Sequence, residues 1–458
     1  MNDNRTIKIL LVEDSMFVRR SAKKSLNGLG FENVIEAEDG NEAIKKLLEE
    51  PDVRLIISDW VMPNMDGLEL LLWVRSSERY GDIPFIMATA RGEKKQVTKA
   101  TEAGVTDFIT KPFVVSELEE LIEKIFAVEE PDQAVLETAR PRRTAAGKRI
   151  LNVAHIQITD HLSLGVLKHM LATDNLSSQY FELETAIMPS WNPVQRALET
   201  GEVDVAFILA PIAMDLFSFG TPIKLVLLAH KNGSIFVQKK NDGREEPVQF
   251  FRNKTFYIPH EMSIHHMLSH IFLRGLGLRP GFEGRGDFDV FFEVIPPIKM
   301  PEFLVTNPDA VGFSVAEPLG TQAIAAGSAD LLFLSGELWE NHPCCVVAVR
   351  DEVIEQDADA VQEFVNLLVK AGQFIDGSPE TAAAMGVPFL DPDEMLGLKE
   401  VVLRDVLKEP QGIKTNDMRP VLEDFDRMQR YMVDEMGIGT LIDLEKFVDT
   451  QFAEIACR

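Results

Sequence analysis

The chain has 458 residues, 45% of them hydrophobic, and a formal net charge of −27. That length is material for about three compact units. A surface so negative repels nucleic-acid phosphates and anionic lipid, which argues against a nucleic-acid-binding output. Three cysteines, Cys344, Cys345 and Cys457, occur without a CxxC spacing and give no disulfide framework. No apolar run reaches the ~18–20 residues of a membrane span, and the apolar stretch near the start is too short for a secretion signal. The expectation is a cytoplasmic protein without membrane insertion.

Residues 5–128 alternate strand and helix. Residues 7–12 and 53–58 are continuous apolar runs, as parallel strands covered on both faces require. Residues 33–37, 84–88 and 106–110 complete five strands. Helical spacing falls at 14–29, 41–50, 68–74, 94–103 and 116–126, with Gly28, Gly30, Pro51 and Gly104 as stops. Five strands alternating with five helices predict a flavodoxin-like, doubly wound α/β sheet. Right-handed crossovers then bring Asp14, Asp59, Thr89 and Lys111 to one edge.

Phosphoryl transfer to a carboxylate needs a nucleophile, a hard cation held by oxygens, and a positive group facing the incoming phosphate. Glu13, Asp14 and Asp59 end two strands, and three carboxylates so placed call for a cation such as Mg²⁺, which would also take the Val61 backbone carbonyl. Thr89 offers a hydroxyl and Lys111 an ammonium to the phosphoryl oxygens. The segments LLVEDS, SDWVMPNMDG, MATA and ITKPF resemble those of response-regulator receiver domains of the chemotaxis-regulator type. The resemblance implies Asp59 as phosphoacceptor, a sensor histidine kinase as partner, Phe108 as an aromatic switch coupled to Thr89, and a cis bond at Lys111–Pro112.

Residues 129–148, polar and broken by Pro131 and Pro141, are expected to form an exposed linker. From residue 149 a second α/β unit begins, with strands expected near 150–158, 181–187, 203–209, 225–228, 234–237, 254–258, 291–294, 310–313, 329–333 and 346–349. Long helices are expected at 360–375, 393–407 and 418–436. The segments LNVAHIQITDHLSLGVLK, SWNPVQRALETGEVDVAFILAP, SIHHML, VIPPIKM, VGFSVAEP, ELWENHP and IDLEKFVDTQFA resemble periplasmic binding proteins of the nitrate, bicarbonate and sulfonate type. The resemblance implies a two-lobed, type II fold, with lobe one at 149–240 and 345–458 and lobe two at 241–344. A small molecule would bind in the cleft between the lobes.

Cleft residues implied by the resemblance are Trp191, Asn232, Gly233 and His265, with Glu317 on lobe two more plausibly structural. Cys344 and Cys345 stand where the nitrate and bicarbonate type has a charged pair, which favours a neutral or larger organic ligand. His266 and His270 share a helix face but lack further metal ligands, so a zinc site there is not expected. The reading is a response regulator with a cytoplasmic small-molecule-binding domain and an output by protein contact. The alternatives are a receiver-regulated enzyme on this scaffold, resembling thiamine-pyrimidine synthases, and a scaffold without a ligand.

Overall fold

The computed structural model describes residues 7–458 except 51, 61, 78, 90–99, 101–102, 111–117, 119–120, 123–124, 126–141, 189, 242–245, 283–285 and 395. The side chains of Phe17, Ser21, Thr89, Thr110 and Pro247 are likewise not described. Val61, Lys111 with its bond to Pro112, the Thr89 side chain, the helix expected at 94–103 and most of the expected linker therefore lie outside the described residues. The chain divides into two units, Met1–Arg140 and Pro141–Arg458.

In the first unit the strands are β1 (Lys8–Val12), β2 (Val34–Ala37), β3 (Val53–Asp59), β4 (Phe85–Thr89) and β5 (Asp107–Thr110). They form one parallel sheet in the order β2-β1-β3-β4-β5. The helices are α1 (Met16–Gly28), α2 (Gly40–Glu49) and α3 (Gly67–Ser76). Alternate strand residues bury toward opposite faces. Leu10, Val12, Ile56, Phe85 and Met87 pack with Ala43 and Leu47 of α2 and Leu70, Leu71 and Val74 of α3. Ile9, Leu11, Leu55, Ile57 and Ile86 pack with Ala22 and Leu26 of α1 and with Leu118 and Ile122. Both faces are thus covered, which explains the uninterrupted apolar runs in the sequence.

The second unit contains two mixed sheets. The first runs β7 (Phe181–Ile187), β6 (Arg149–His155), β8 (Val205–Leu209), β16 (Cys345–Arg350), β9 (Ile223–Leu228). The second runs β12 (Pro280–Phe282), β13 (Val290–Val294), β11 (Thr255–Ile258), β14 (Ala310–Ala316), β10 (Ser234–Lys239), β15 (Ala329–Leu334). The chain crosses from lobe one to lobe two between β9 and β10, and returns between β15 and β16. Lobe two therefore begins near residue 234. The stretch 234–240, assigned to lobe one from the sequence, is a central strand of lobe two, paired with β14 and β15.

The two crossovers run side by side, with Lys231 bridged to Pro343 and Asn232 N donating to the His342 carbonyl at 3.0 Å. Asn232 and Gly233 have φ of +57° and +91°, a left-handed turn that Asn and Gly tolerate best. Hydrogen bonds also join the lobes directly. Thr159 donates from N (3.2 Å) and Oγ1 (2.6 Å) to the Glu317 carbonyl, and His260 Nε2 lies 3.1 Å from Asn192 Oδ1.

Two expectations fail locally. Residues 142–148, read as linker, are held to the second unit: Arg142 pairs with Glu184 at 3.0 Å and Arg143 with Asp357 at 2.6 Å. The helix expected from 393 starts at Glu400, because the Asp391 carboxylate accepts from Leu396 N and Leu398 N and ties 391–398 into a loop.

Candidate functional site

In the receiver-like unit, β1 and β3 are neighbours while the chain continues from β1 to β2 on the other side. The carboxyl ends of β1 and β3 therefore flank the crevice where such sheets bind ligands. Glu13 and Asp14 follow β1, Asp59 ends β3, and oxygens of the three carboxylates lie within 4.8 Å of one another. Glu13 is buried, Asp59 partly buried and Asp14 exposed. The Arg19 guanidinium donates to the Glu13 carbonyl and pairs with Glu36 (3.3 Å) and Glu38 (2.8 Å), which anchors the turn after β1. Asp59 Oδ1 accepts from Trp60 N at 2.7 Å.

The loop after β3 is set by backbone crowding. A Cβ on Gly67 would lie 2.1 Å from the Asp59 carbonyl oxygen and 2.9 Å from Met87 Sδ, so only glycine fits there. Asp66 and Glu69 form a capping box that starts α3 next to this contact. Thr89 ends β4 in register with Thr110 of β5, the residue before Lys111. Phe108 pairs with Met87 and packs partly buried against the core on the α2 and α3 face. Three clustered carboxylates are the hard oxygen donors that Mg²⁺ takes, so the described residues fit that ion.

The second unit gathers buried polar groups at the crossovers. Trp191, 2% exposed, opens a helix (Trp191–Thr200) and meets the His161 ring edge-on at 5.7 Å. Asn232 is fully buried. The Gly233 backbone lies against His230, where a Cβ would come 3.0 Å from Nδ1. His265 Nε2 lies 2.9 Å from Ser234 Oγ, and burial pulls its imidazole down to about 4. Glu317 behaves differently. Burial pushes its carboxyl up to about 7, and both oxygens accept from Thr321 of its own next helix, at 3.1 and 2.6 Å. That is a capping role.

Four residues at this place were not singled out as cleft residues from the sequence: Asp160, His161, His230 and His342. Burial pulls the His230 imidazole down, but the charge and hydrogen bond of Asp160, 3.2 Å away, more than reverse this, to about 10. Burial pushes the Asp160 carboxyl up, and the His230 charge overcomes it, to about 2. The pair is therefore a buried carboxylate and imidazolium. Cys344 Sγ and Cys345 Sγ each donate to Asp160 Oδ2 at 3.4 Å. Burial raises the Cys345 thiol well above its ordinary value.

Around this pair, polar atoms of buried side chains find no partner among the described residues. They are Asp160 Oδ1, His161 Nε2, Trp191 Nε1, His230 Nδ1, both amide atoms of Asn232, His265 Nδ1 and His342 Nε2. Leaving so many buried groups unpaired costs ~1–3 kcal/mol each, so the arrangement is suited to a polar occupant. A signal existed in the sequence: ITDH and LAHKNG place polar residues just after an apolar run, and ENHPCC places them just before one. By contrast, His266 Nδ1 lies 2.8 Å from the Glu261 carbonyl and His270 Nδ1 2.9 Å from Tyr431 Oη.

Comparison with known proteins matches both units. Residues 9–123 match the response regulator receiver domain and residues 144–386 the NMT1-like family. Chemotaxis protein CheY1 of Helicobacter pylori is 45% identical over 119 residues, 26% of this chain and 96% of that protein. The CheY homologue of Campylobacter jejuni is 44% identical over 119 residues, 26% of this chain and 92% of that protein. Among solved structures, the ligand binding component of an ABC-type import system from Staphylococcus aureus, with zinc bound, is similar with a TM-score of 0.58. Its identity is 22%, over 68% of this chain and 99% of that one. The periplasmic nitrate-binding protein NrtA from Synechocystis PCC 6803 gives a TM-score of 0.58 at 18% identity, over 69% of this chain and 89% of that one. These two likenesses establish the binding-protein fold. No described helix is long and apolar enough to cross a membrane. The chain belongs to the NMT1-like family and carries, at residues 9–123, a response regulator receiver domain.

Proposed function

We propose that this chain is a two-component response regulator, phosphorylated on Asp59 by a histidine kinase, whose second unit binds a small molecule in the cytoplasm and whose output is a protein contact. The observation that carries the reading is the approach of Glu13, Asp14 and Asp59 within 4.8 Å at the switch point of a doubly wound sheet.

An Asp59 carboxylate oxygen attacks the phosphorus of the kinase phosphohistidine. The P–O bond forms as the P–N bond breaks, and the leaving imidazole takes up a proton. Glu13, Asp14, Asp59 and the Val61 carbonyl would hold Mg²⁺, which supplies positive charge to the phosphoryl oxygens. Glu13, anchored through Arg19, keeps the acidic turn against Asp59. Lys111 and the Thr89 hydroxyl neutralise and orient the phosphoryl group, and Phe108 follows Thr89 inward. In the second unit, Trp191, Asn232 and His265, with buried polar atoms unpaired toward their surroundings, offer donors and acceptors to the ligand. Burial raises the Cys345 thiol, which argues against that residue as a free thiolate nucleophile.

The test is labelling of the purified full chain by acetyl phosphate with Mg²⁺. Wild type incorporates phosphate and Asp59→Asn does not; labelling that persists in the variant rejects the site. For the second unit, a library of small anions and neutral metabolites is screened by thermal shift. A compound that raises Tm without being consumed is expected, and conversion of the compound would replace sensing by catalysis.

A further inference from the structure

We propose that Asp160, His230, Cys344 and Cys345 form a binding site for a thiophilic divalent transition metal ion of the zinc class at the junction of the two crossovers. The inference does not rest on the receiver reading or on the identity of any cleft ligand.

One ligand atom from each residue lies within 4.8 Å of the others, and all four side chains are 0–1% exposed. Three distances converge on a single oxygen. Asp160 Oδ2 is 3.2 Å from His230 Nε2 and 3.4 Å from each of Cys344 Sγ and Cys345 Sγ. A tetrahedral zinc with bonds of about 2.3 Å to sulfur and about 2.0 Å to nitrogen and oxygen has edges of about 3.5 Å for S···O and about 3.3 Å for N···O. The three observed separations therefore match the three edges of such a tetrahedron that meet at the oxygen, and the other three lie within 4.8 Å.

The donor set points the same way. Two sulfurs and an imidazole select a soft or borderline metal and disfavour Mg²⁺ or Ca²⁺. Asp160 Oδ1 has no partner among the described residues. Metal binding would release both thiol protons and the Nε2 proton to solvent, leaving two thiolates, a carboxylate and a neutral imidazole around the ion.

The placement gives the site a consequence. His230 lies on the outgoing crossover, Cys344 at the end of the returning one, Cys345 at the start of β16, and Asp160 on lobe one beyond β6. An ion held by all four pins both crossovers to lobe one and fixes the pivot about which the lobes move.

The full chain, freed of metal by chelation under reducing conditions, is titrated with Co²⁺ in excess Mg²⁺. Expected is one equivalent bound, with tetrahedral ligand-field absorption and a thiolate-to-cobalt charge-transfer band, both displaced by Zn²⁺. Cys344→Ser/Cys345→Ser abolishes the charge-transfer band and weakens Zn²⁺ binding by about 100-fold or more, whereas Cys457→Ser leaves both unchanged. Circular dichroism checks that the double variant is folded. If it is not, X-ray absorption of wild type loaded with Zn²⁺ decides, with two sulfur, one nitrogen and one oxygen neighbour expected. An octahedral cobalt spectrum, a shell of oxygen and nitrogen alone, or no binding overturns the proposal.

Discussion

At the scale of single residues, burial and polarity conflict around Trp191. Its indole is 2% exposed, yet Nε1 meets no acceptor among the described residues. A buried N–H without an acceptor costs the empty fold ~1–3 kcal/mol, so removing it offsets the volume lost when the indole is replaced by a smaller ring. Trp191→Phe is therefore expected to shift the unfolding free energy of the ligand-free chain by less than about 1 kcal/mol in urea titration. A loss above ~2 kcal/mol would reveal a protein acceptor and remove Trp191 from the cleft. Glu317 shows the opposite logic. It too is buried, but both of its oxygens accept from Thr321, so its carboxyl has protein partners that the Trp191 N–H lacks.

At the scale of elements, the acidic site depends on how β3 passes into α3. The strand must end at Asp59 and the chain return over it within eight residues, with Gly67 against the Asp59 carbonyl. Gly67→Ala would drive Cβ to 2.1 Å from that oxygen, so the loop must shift and carry Asp59 with it. The expected result is a destabilisation of ~1–3 kcal/mol together with slower labelling by acetyl phosphate. Unaltered labelling kinetics would mean that the loop relaxes without moving the carboxylate. In the second unit the crossovers play the equivalent part, since they bring His230 and Asn232 to Cys344, more than 100 residues further along the chain.

At the scale of the whole molecule, buried histidines make stability depend on pH. Burial pulls His155, His260 and His265 down to about 4 from an ordinary value of 6.5. Between those limits the unfolded chain binds more protons than the folded one, so stability rises with pH. It is lost as pH falls from 6.5 toward 4, by at most ~1.4 kcal/mol per pH unit per histidine. His230, held up to about 10, contributes in the other sense: its share is complete below about pH 6.5 and is lost as pH rises from there toward 10. The Glu317 carboxyl, held up to about 7, opposes the histidines over the same range, but three imidazoles outweigh one carboxyl, so thermal unfolding of the full chain should show Tm falling between about pH 6.5 and pH 5. A flat Tm over that range would show that these imidazoles are solvated.

The sequence by itself determined the parts whose physics is local. Apolar runs bounded by turn residues specified the doubly wound sheet, and strand-end position put Glu13, Asp14 and Asp59 at one edge, because parallel strands with right-handed crossovers share a direction. The binding-protein fold was legible only through resemblance, its motifs being dispersed. Tertiary structure alone decided where the lobes exchange the chain, since strand 234–239 reads alike in either sheet. It alone decided that Asp160, His230, Cys344 and Cys345 meet, because residues so far apart in sequence are joined by the pairing of two crossovers, a long-range contact that no local pattern encodes.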